Sequence, residues 1–528
     1  MNLINHYTKL LLIYFRLKIV IINNFNYLES KVTKKILFWL GVDFTHFCLS
    51  HYLQKSLDAD FYAIIDITNK PKSFFEQQKL VNLNKKWFFH DHILKNSKKP
   101  DLEYLSKIEN DYGINIWKLA LNERIFYNFF DFHKFSRDEI LSIDEQACRL
   151  FEEVLDDVKP DFFITKQPAF HHLELFYQMC RAKGVKVLML NNSNFSDSSI
   201  IVEDISKLDS TSPRLNDFKP DGRTLEDFRK NITSLQKNLK TNVLKQSQST
   251  AMMKSALKFF TAENENIKTN YNYFGRTKFN VLSFELNYRL NTQKRKKFID
   301  ENLSSSPNIT ENFVYFPMSL DMERSTLIDA PFYTNQVEVI RSIAKSIPVD
   351  HYLFVKEHPN QKLRGWRKIS EYEEILKIPN VILIHPSYSS ENLYANCSVV
   401  ITIGGTSGFE AALYNKPSII FTDLRYSILP SVFRLNSIEN LSETIKQCIK
   451  TEVDADDVNK FIQLMESVII NFNWQSFVSD FQKSFYNNGN LFDVEISEKE
   501  LKFFLEKNKL ILEKLASAHI KKMSELTS

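Results

Sequence analysis

Short apolar runs of strand length punctuate the chain, each followed by a stretch with helical spacing. In the first 205 residues KILFWLG (35–41) and ADFYAIIDIT (59–68) read as strands, with a helical DFTHFCLSHYLQKSL between them. PDFFITK (160–166) and VKVLMLNN (185–192) repeat the design around an amphipathic helix over 171–184 that stops at Gly184. Strand–helix–strand at this spacing implies right-handed parallel crossovers and a buried sheet, hence a Rossmann-like unit. Between 206 and 310 Lys, Asn, Ser, Thr and Gln accumulate and helical spacing prevails; only FNVLSF (279–284) hints at a strand. From 311 the alternation returns in NFVYFP (312–317), HYLFVKEHP (351–359), VILIHP (381–386), SVVITIGG (398–405) and PSIIFTD (417–423), with helices over 334–347 and 406–415. Residues 436–528 are helical with polar faces. The reading is an α/β protein: a Rossmann-like domain over 1–205, a helical insertion or connector over 206–310, a second Rossmann-like domain over 311–435, and a helical tail over 436–528 that packs across the domains.

Composition narrows this picture. Only 10 of 528 residues are glycine, about 2% against roughly 7% in an average protein, while 70 are aromatic. Glycines that cluster in such a chain mark backbone that needs them. The content of 43% hydrophobic and 25% charged residues excludes wholesale disorder. A net charge of +4 lacks the basic excess of a nucleic-acid binder. Five scattered cysteines (Cys48, Cys148, Cys180, Cys397, Cys448) form no CxxC pair, which fits reduced core thiols rather than a disulfide framework or zinc site. The stretch LLLIYFRLKIVII (10–22) is interrupted by Arg16 and Lys18, too early for a membrane span, and no small-residue cleavage site follows. It reads either as a buried amphipathic helix or as a peripheral membrane contact. The basic run NTQKRKKF (291–298) leaves a solvated face and an anionic-lipid contact both open. The expected location is cytoplasmic, with room for contact at the inner membrane face.

Three glycines fall within five positions, Gly404, Gly405 and Gly408, where a strand ends and a helix begins. Glycine there permits positive φ and close approach of an anion, and the first helical amides lack backbone partners. Thr406 and Ser407 are placed to cap the helix or bind a phosphate, and Glu410 to accept from a sugar hydroxyl. The pattern is neither GxGxxG nor GxxxxGK[ST], so it supports neither a dinucleotide fingerprint nor a P-loop. Lys356, Glu357, His358 and Pro359 close another strand, and strand ends are where open α/β sheets bind ligands. Lys356 and His358 there suit a leaving phosphate, with His358 as donor or general acid. Glu323, Arg324, Ser325 and Tyr333 follow the first strand of the second half and are candidates for the same cleft. In the first half, Asp66 ends one strand, and Gln167, His171 and His172 follow another; Asp66 and His171 are the candidate base or nucleophile. No metal-ligand spacing stands out, and no cofactor is called for.

The segments VYFPMS, VKEHPNQKLRGWRKISEYEEILKIPNVILIHP and VVITIGGTSGFEAALYNKPSIIF resemble the capsule polysaccharide synthesis family of glycosyltransferases, over 311–423 and more weakly over 58–70 and 159–204. That resemblance implies two Rossmann domains facing across a cleft (GT-B-like), a nucleotide-sugar donor such as CMP-Kdo, and a lipid-linked or polysaccharide acceptor at the cytoplasmic membrane face. It assigns His358, Thr406 and Ser407 to the donor nucleotide and its phosphate, with the acceptor on the first domain. Rival readings with the same architecture are a polyol-phosphate transferase of the teichoic-acid type, a nucleotide-sugar epimerase, and a non-catalytic polysaccharide assembly or binding factor.

Overall fold

The computed structural model describes residues 33–94, 99–127, 131–193, 197–230, 270–489 and 491–527. The apolar stretch 10–22 lies outside them. Twelve strands form two six-stranded sheets. The first holds β1 (Lys34–Leu40), β2 (Ala59–Ile65), β3 (Lys85–Phe88), β4 (Phe162–Lys166), β5 (Lys186–Asn192) and β6 (Ser199–Val202) in the order β3-β2-β1-β4-β5-β6. The second holds β7 (Phe313–Pro317), β8 (Tyr352–Lys356), β9 (Val381–Ile384), β10 (Val399–Thr402), β11 (Ser418–Ile420) and β12 (Val432–Arg434) in the order β12-β11-β10-β7-β8-β9. Numbered within each half, both sheets read 3-2-1-4-5-6, the doubly wound order. Every pairing is parallel except β5 with β6.

Burial explains the apolar runs. Parallel strands covered on both faces need apolar side chains on both. In β1, Leu37 and Trp39 enter one core while Ile36, Phe38 and Leu40 enter the other. The first core is closed by the helices Arg137–Val158 and His171–Ala182. The second is closed by the helix Thr45–Ser56 and by the end of the chain, through Phe477, Phe481, Leu501, Phe504, Leu512 and Leu515. Earlier tail residues belong to the other half: Leu441, Ile445 and Cys448 pack against the second sheet, and Val458, Phe461 and Met465 pack beside Phe409 and Leu413. The chain crosses back near Ile470, which hydrogen-bonds Ser199 in both directions (3.1 and 2.8 Å) and so covers the edge strand β6.

Three strands lack the expected pattern. β3 is the half-charged KKWF, β12 has three residues, and β6 is a four-residue edge strand held by its neighbours. FNVLSF is helical, not extended. It opens the helix Lys278–Asn302, capped by the Thr277 hydroxyl on the Asn280 amide (3.2 Å).

Candidate functional site

In doubly wound sheets ligands sit beyond the carboxyl ends of the strands, where the strand order reverses. Here those points lie between β1 and β4 and between β7 and β10. A cleft of about 650 Å³ occupies them. The first half contributes Lys166 at the end of β4, Gln167 after it, and Asn191 and Asn192 at the end of β5. The second contributes Gly404, Gly405 and Thr406 after β10, Arg425 and Tyr426 after β11, and Glu323, Arg324 and Ser325 after β7. Glu410 lines the cleft one helical turn behind Thr406.

The glycine turn differs from expectation in its reason. None of Gly404, Gly405 and Gly408 has positive φ; what each lacks is room. A Cβ on Gly404 would stand 3.0 Å from the Thr422 methyl, and one on Gly408 would stand 2.7 Å from the Tyr426 hydroxyl. Thr406 is the N-cap of the helix Ser407–Leu413 but makes no side-chain cap; its hydroxyl donates to Glu410 Oε1 at 2.9 Å. Tyr426 donates to the Gly405 carbonyl, tying the turn to the following strand end.

The Lys356–Pro359 turn is not on the strand next to the glycine turn: β7 stands between β8 and β10. Lys356 is buried and donates to Ser390 Oγ at 2.7 Å. His358 Nδ1 accepts from the Asn360 amide (3.1 Å), capping the turn Pro359–Arg364, so the neutral ring carries its proton on Nε2. Glu357 is fully buried and receives Arg367 Nε and the Tyr372 hydroxyl, each at 2.8 Å. Lys356, His358, Pro359, Ser407 and Gly408 are therefore not among the residues lining the cleft.

Asp66, His171 and His172 sit in two buried charge clusters. Asp66 stands between His90 (3.0 Å) and His172 (3.1 Å), and the Tyr271 hydroxyl lies 3.4 Å from the other nitrogen of His172. Burial raises the Asp66 pKa, but the two imidazoles outweigh it and hold the carboxyl well below the usual range. His171 is 3% exposed, with Glu123 and Asp144 at 3.1 and 3.2 Å on its two ring nitrogens. Burial lowers its pKa, yet the two carboxylates carry it up to about 9, while His171 helps hold Glu123 down to about 2. The sign follows from linkage. A raised histidine stabilises fully below its unfolded value of 6.5, and that contribution is lost as pH rises through about 9. His171→Gln is thus expected to lose most stability below pH 6.5 and progressively less toward pH 9, measured by urea denaturation across that range.

Two arginines join the halves across the cleft. Arg324 Nη1 reaches Glu174 at 2.7 Å, and Arg124 Nε donates to the Met322 carbonyl at 2.9 Å. Glu323 pairs with Arg364 at 2.9 Å. Tyr333 turns away from the cleft and packs edge-on against Phe421, with centroids 4.8 Å apart. Lys166 is held by Asp43 at 2.6 Å. Arg425 is 8% exposed and lines the cleft. Among the described residues it forms no salt bridge; its one hydrogen bond, at 3.4 Å, goes to the Ile205 carbonyl. Burial depresses its pKa to about 10 against a small opposing pull from Asp209. Lys166, Asn191 and Asn192 are not singled out by the sequence although each stands at a strand end, where the rule used for the Lys356 turn also applies; Arg425 lies beyond that rule, in the turn Arg425–Ile428 after β11. Trp474, from the tail, carried no such signal; its indole donates to Thr45 beside the cleft.

Among the described residues no group of three or more His, Cys, Asp or Glu is arranged to hold a metal, and no helix is long and apolar enough to cross a membrane. Two doubly wound sheets with a cleft at their switch points, crossed by the end of the chain, define the GT-B-like class. Over residues 224–430 the chain matches the family of capsule polysaccharide biosynthesis proteins, the family its Lys356 and Gly404 turns resemble. No curated protein matches it. Solved structures similar to it include UDP-GlcNAc 2-epimerase of Methanocaldococcus jannaschii in complex with UDP-GlcNAc and UDP, at 11% identity over 82% of this chain and 99% of that one, TM-score 0.25. Thermosulfurimonas dismutans KpsC, a β Kdo 2,7 transferase, matches at 12% identity over 66% of this chain and 87% of its own, TM-score 0.28. Anabaena Alr3699/HepE, in complex with UDP and glucose, matches at 11% identity over 85% and 98%, TM-score 0.23.

Proposed function

We propose that the chain is a glycosyltransferase of capsular or other surface polysaccharide synthesis, taking a sugar from a nucleotide-activated donor, with CMP-Kdo as the candidate donor. The observation that carries this reading is Arg425: a buried cation without an ion-pair partner among the described residues, lining a cleft with a glycine turn. A buried charge is stable only when paired, and a donor phosphate supplies the missing anion. Gly404 and Gly405 put backbone on the cleft wall, and Glu410 is the acceptor for a donor hydroxyl. In the transfer, the bond between the anomeric carbon and the phosphate oxygen breaks as an acceptor oxygen bonds to that carbon. The nucleotide leaves with the negative charge, which Arg425 stabilises; Lys356 and His358, outside the cleft, hold the turn that follows β8. Ser407, Gly408 and Pro359 support that donor side. Gln167, Ser325 and Arg324 border the path of the acceptor. Asp66, clasped by His90 and His172, and His171, sealed between two carboxylates, lie outside the lining of the cleft and order the elements behind it. Tyr333 has a packing role.

Membrane contact belongs to the same reading. The outer face of the helix Lys278–Asn302 presents Phe279, Leu282, Leu286 and Leu290 at 79, 43, 62 and 57% exposure, with Lys294 and Lys297 continuing the row. An apolar row extended by lysines suits the cytoplasmic face of an anionic bilayer, where a lipid-linked acceptor would be met.

One preparation tests both arms. Thermal shift with CMP, UDP and CDP is expected to raise the melting temperature for at least one nucleotide. Arg425→Gln weakens that binding about tenfold or more, because a charge-assisted contact is lost. The protein also floats with anionic vesicles and not with neutral ones. If no nucleotide stabilises the wild type, the transferase reading fails; turnover of a CDP-polyol would replace the sugar by a polyol phosphate.

A further inference from the structure

A second cavity, of about 1020 Å³, lies outside the cleft, between the helix Lys278–Asn302 and the second half of the molecule. It exceeds the roughly 300–1,000 Å³ typical of a site for one small molecule. On the helix side, Asn280, Phe284, Asn287 and Asn291 line it, at intervals of four, three and four residues, which is a single helical row. Trp366, Gln336, Gln361 and Glu371 line the facing wall. Its charges cancel: Asp131, Asp321, Glu371 and Glu374 against Arg295, Arg364, Arg367 and Lys368. The trench therefore suits neither a polyanion nor an apolar peptide. The amides of Asn287 and Asn291 beside the Phe284, Tyr288 and Trp366 rings match a chain of sugars, whose hydroxyls need neutral donors and acceptors and whose ring faces are apolar, while Gln336 and Gln361 are engaged with Ser319 and Asp321.

The facing wall is held in an uncommon conformation. Gly365 has φ of +75°, and a Cβ there would stand 2.6 Å from the Tyr288 ring. Trp366 has φ of +60°, which a bulky residue keeps only where its surroundings enforce it. Arg295 enforces it, donating from Nη1 to the carbonyls of Gly365 and Trp366 at 3.0 Å each. The trench also shares a wall with the cleft. Asp321 and Met322 line the one, while Glu323, Arg324 and Ser325 line the other. Met322, at φ +61°, is the turning point. Arg364 of the trench pairs with Glu323 of the cleft across it.

We infer that this trench binds the sugar chain being extended, as an uncharged oligosaccharide segment lying some residues behind the reacting end. The assignment of that chain as the acceptor rests on the transferase reading; the binding site itself does not. The test uses the full chain with maltohexaose, cellohexaose and chitohexaose, followed by hydrogen exchange and titration calorimetry. At least one hexasaccharide is expected to slow exchange over residues 280–291 and 364–368. Asn287→Trp, on the exposed helix surface, should weaken that binding about tenfold or more by filling the trench, and Asn287→Ala by a smaller factor. Both variants keep the wild-type melting temperature and nucleotide response. The proposal is overturned if no hexasaccharide protects those segments, if protection falls only in the cleft, or if Asn287→Trp binds like the wild type. A wild type that binds a hexasaccharide here but no nucleotide would remove the transferase reading and leave the site standing.

Discussion

Arg367→Met is expected to destabilise the protein by about 3–5 kcal/mol at neutral pH, the cost of leaving one member of a buried ion pair alone. Arg367 is nearly inaccessible and holds three partners at once: Glu357 through Nε, Asp321 through Nη1 and the Ser319 carbonyl through Nη2. Without the guanidinium, Glu357 keeps the Tyr372 hydroxyl and the His358 amide (2.6 Å) but no countercharge. Urea denaturation of wild type and variant at pH 7 measures the loss. A loss below about 1 kcal/mol at pH 7, the level of an exposed ion pair, would mean that the network is solvated and does not organise the Lys356–Pro359 turn. Arg367→Lys should recover only part of the loss, since an ammonium cannot serve three directions in one plane.

Gly408→Ala is expected to cost about 1–3 kcal/mol through overpacking, and also to erase nucleotide-dependent stabilisation. The added methyl would meet the Tyr426 hydroxyl at 2.7 Å, its ring at 3.0 Å and Ser418 Oγ at 3.2 Å. Tyr426 is buried and cannot swing aside without releasing the Gly405 carbonyl, which opens the turn beside Arg425. Tyr426→Phe separates the two effects. It removes the hydrogen bond but keeps the packing, so it should leave stability nearer to wild type while still reducing the thermal shift with nucleotide. A Gly408→Ala protein that responds to nucleotide like the wild type would exclude the turn from donor binding.

Nine of the twelve strands were legible because a parallel strand buried on both faces must be apolar throughout, and polar turns bound it. Of the remaining three, β3 is the half-charged KKWF, and β6 and β12 are runs of four and three residues, too short to stand out. The strand-end rule also brought Gln167, the residues 323–325 and the glycine turn to one cleft. It could not show which charges are already paired. Glu123 lies 48 residues from His171, and Asp66 lies 106 from His172; no periodicity links such partners. The same limit applies in reverse to Arg425, which has no ion-pair partner among the described residues.

The crossing of the tail has a consequence for synthesis. The helix Thr45–Ser56 is among the first elements to emerge, yet Tyr52 donates to the carbonyl of Leu505 (2.9 Å), and Phe44 stacks on Phe481 at 4.9 Å. One apolar face of the earlier sheet therefore waits, uncovered, while the later sheet is made and closed. Loop closure over some 450 residues is slow by contact-order reasoning, so the nascent chain carries an exposed sheet until residues 477–515 have been made. The half made first is finished last.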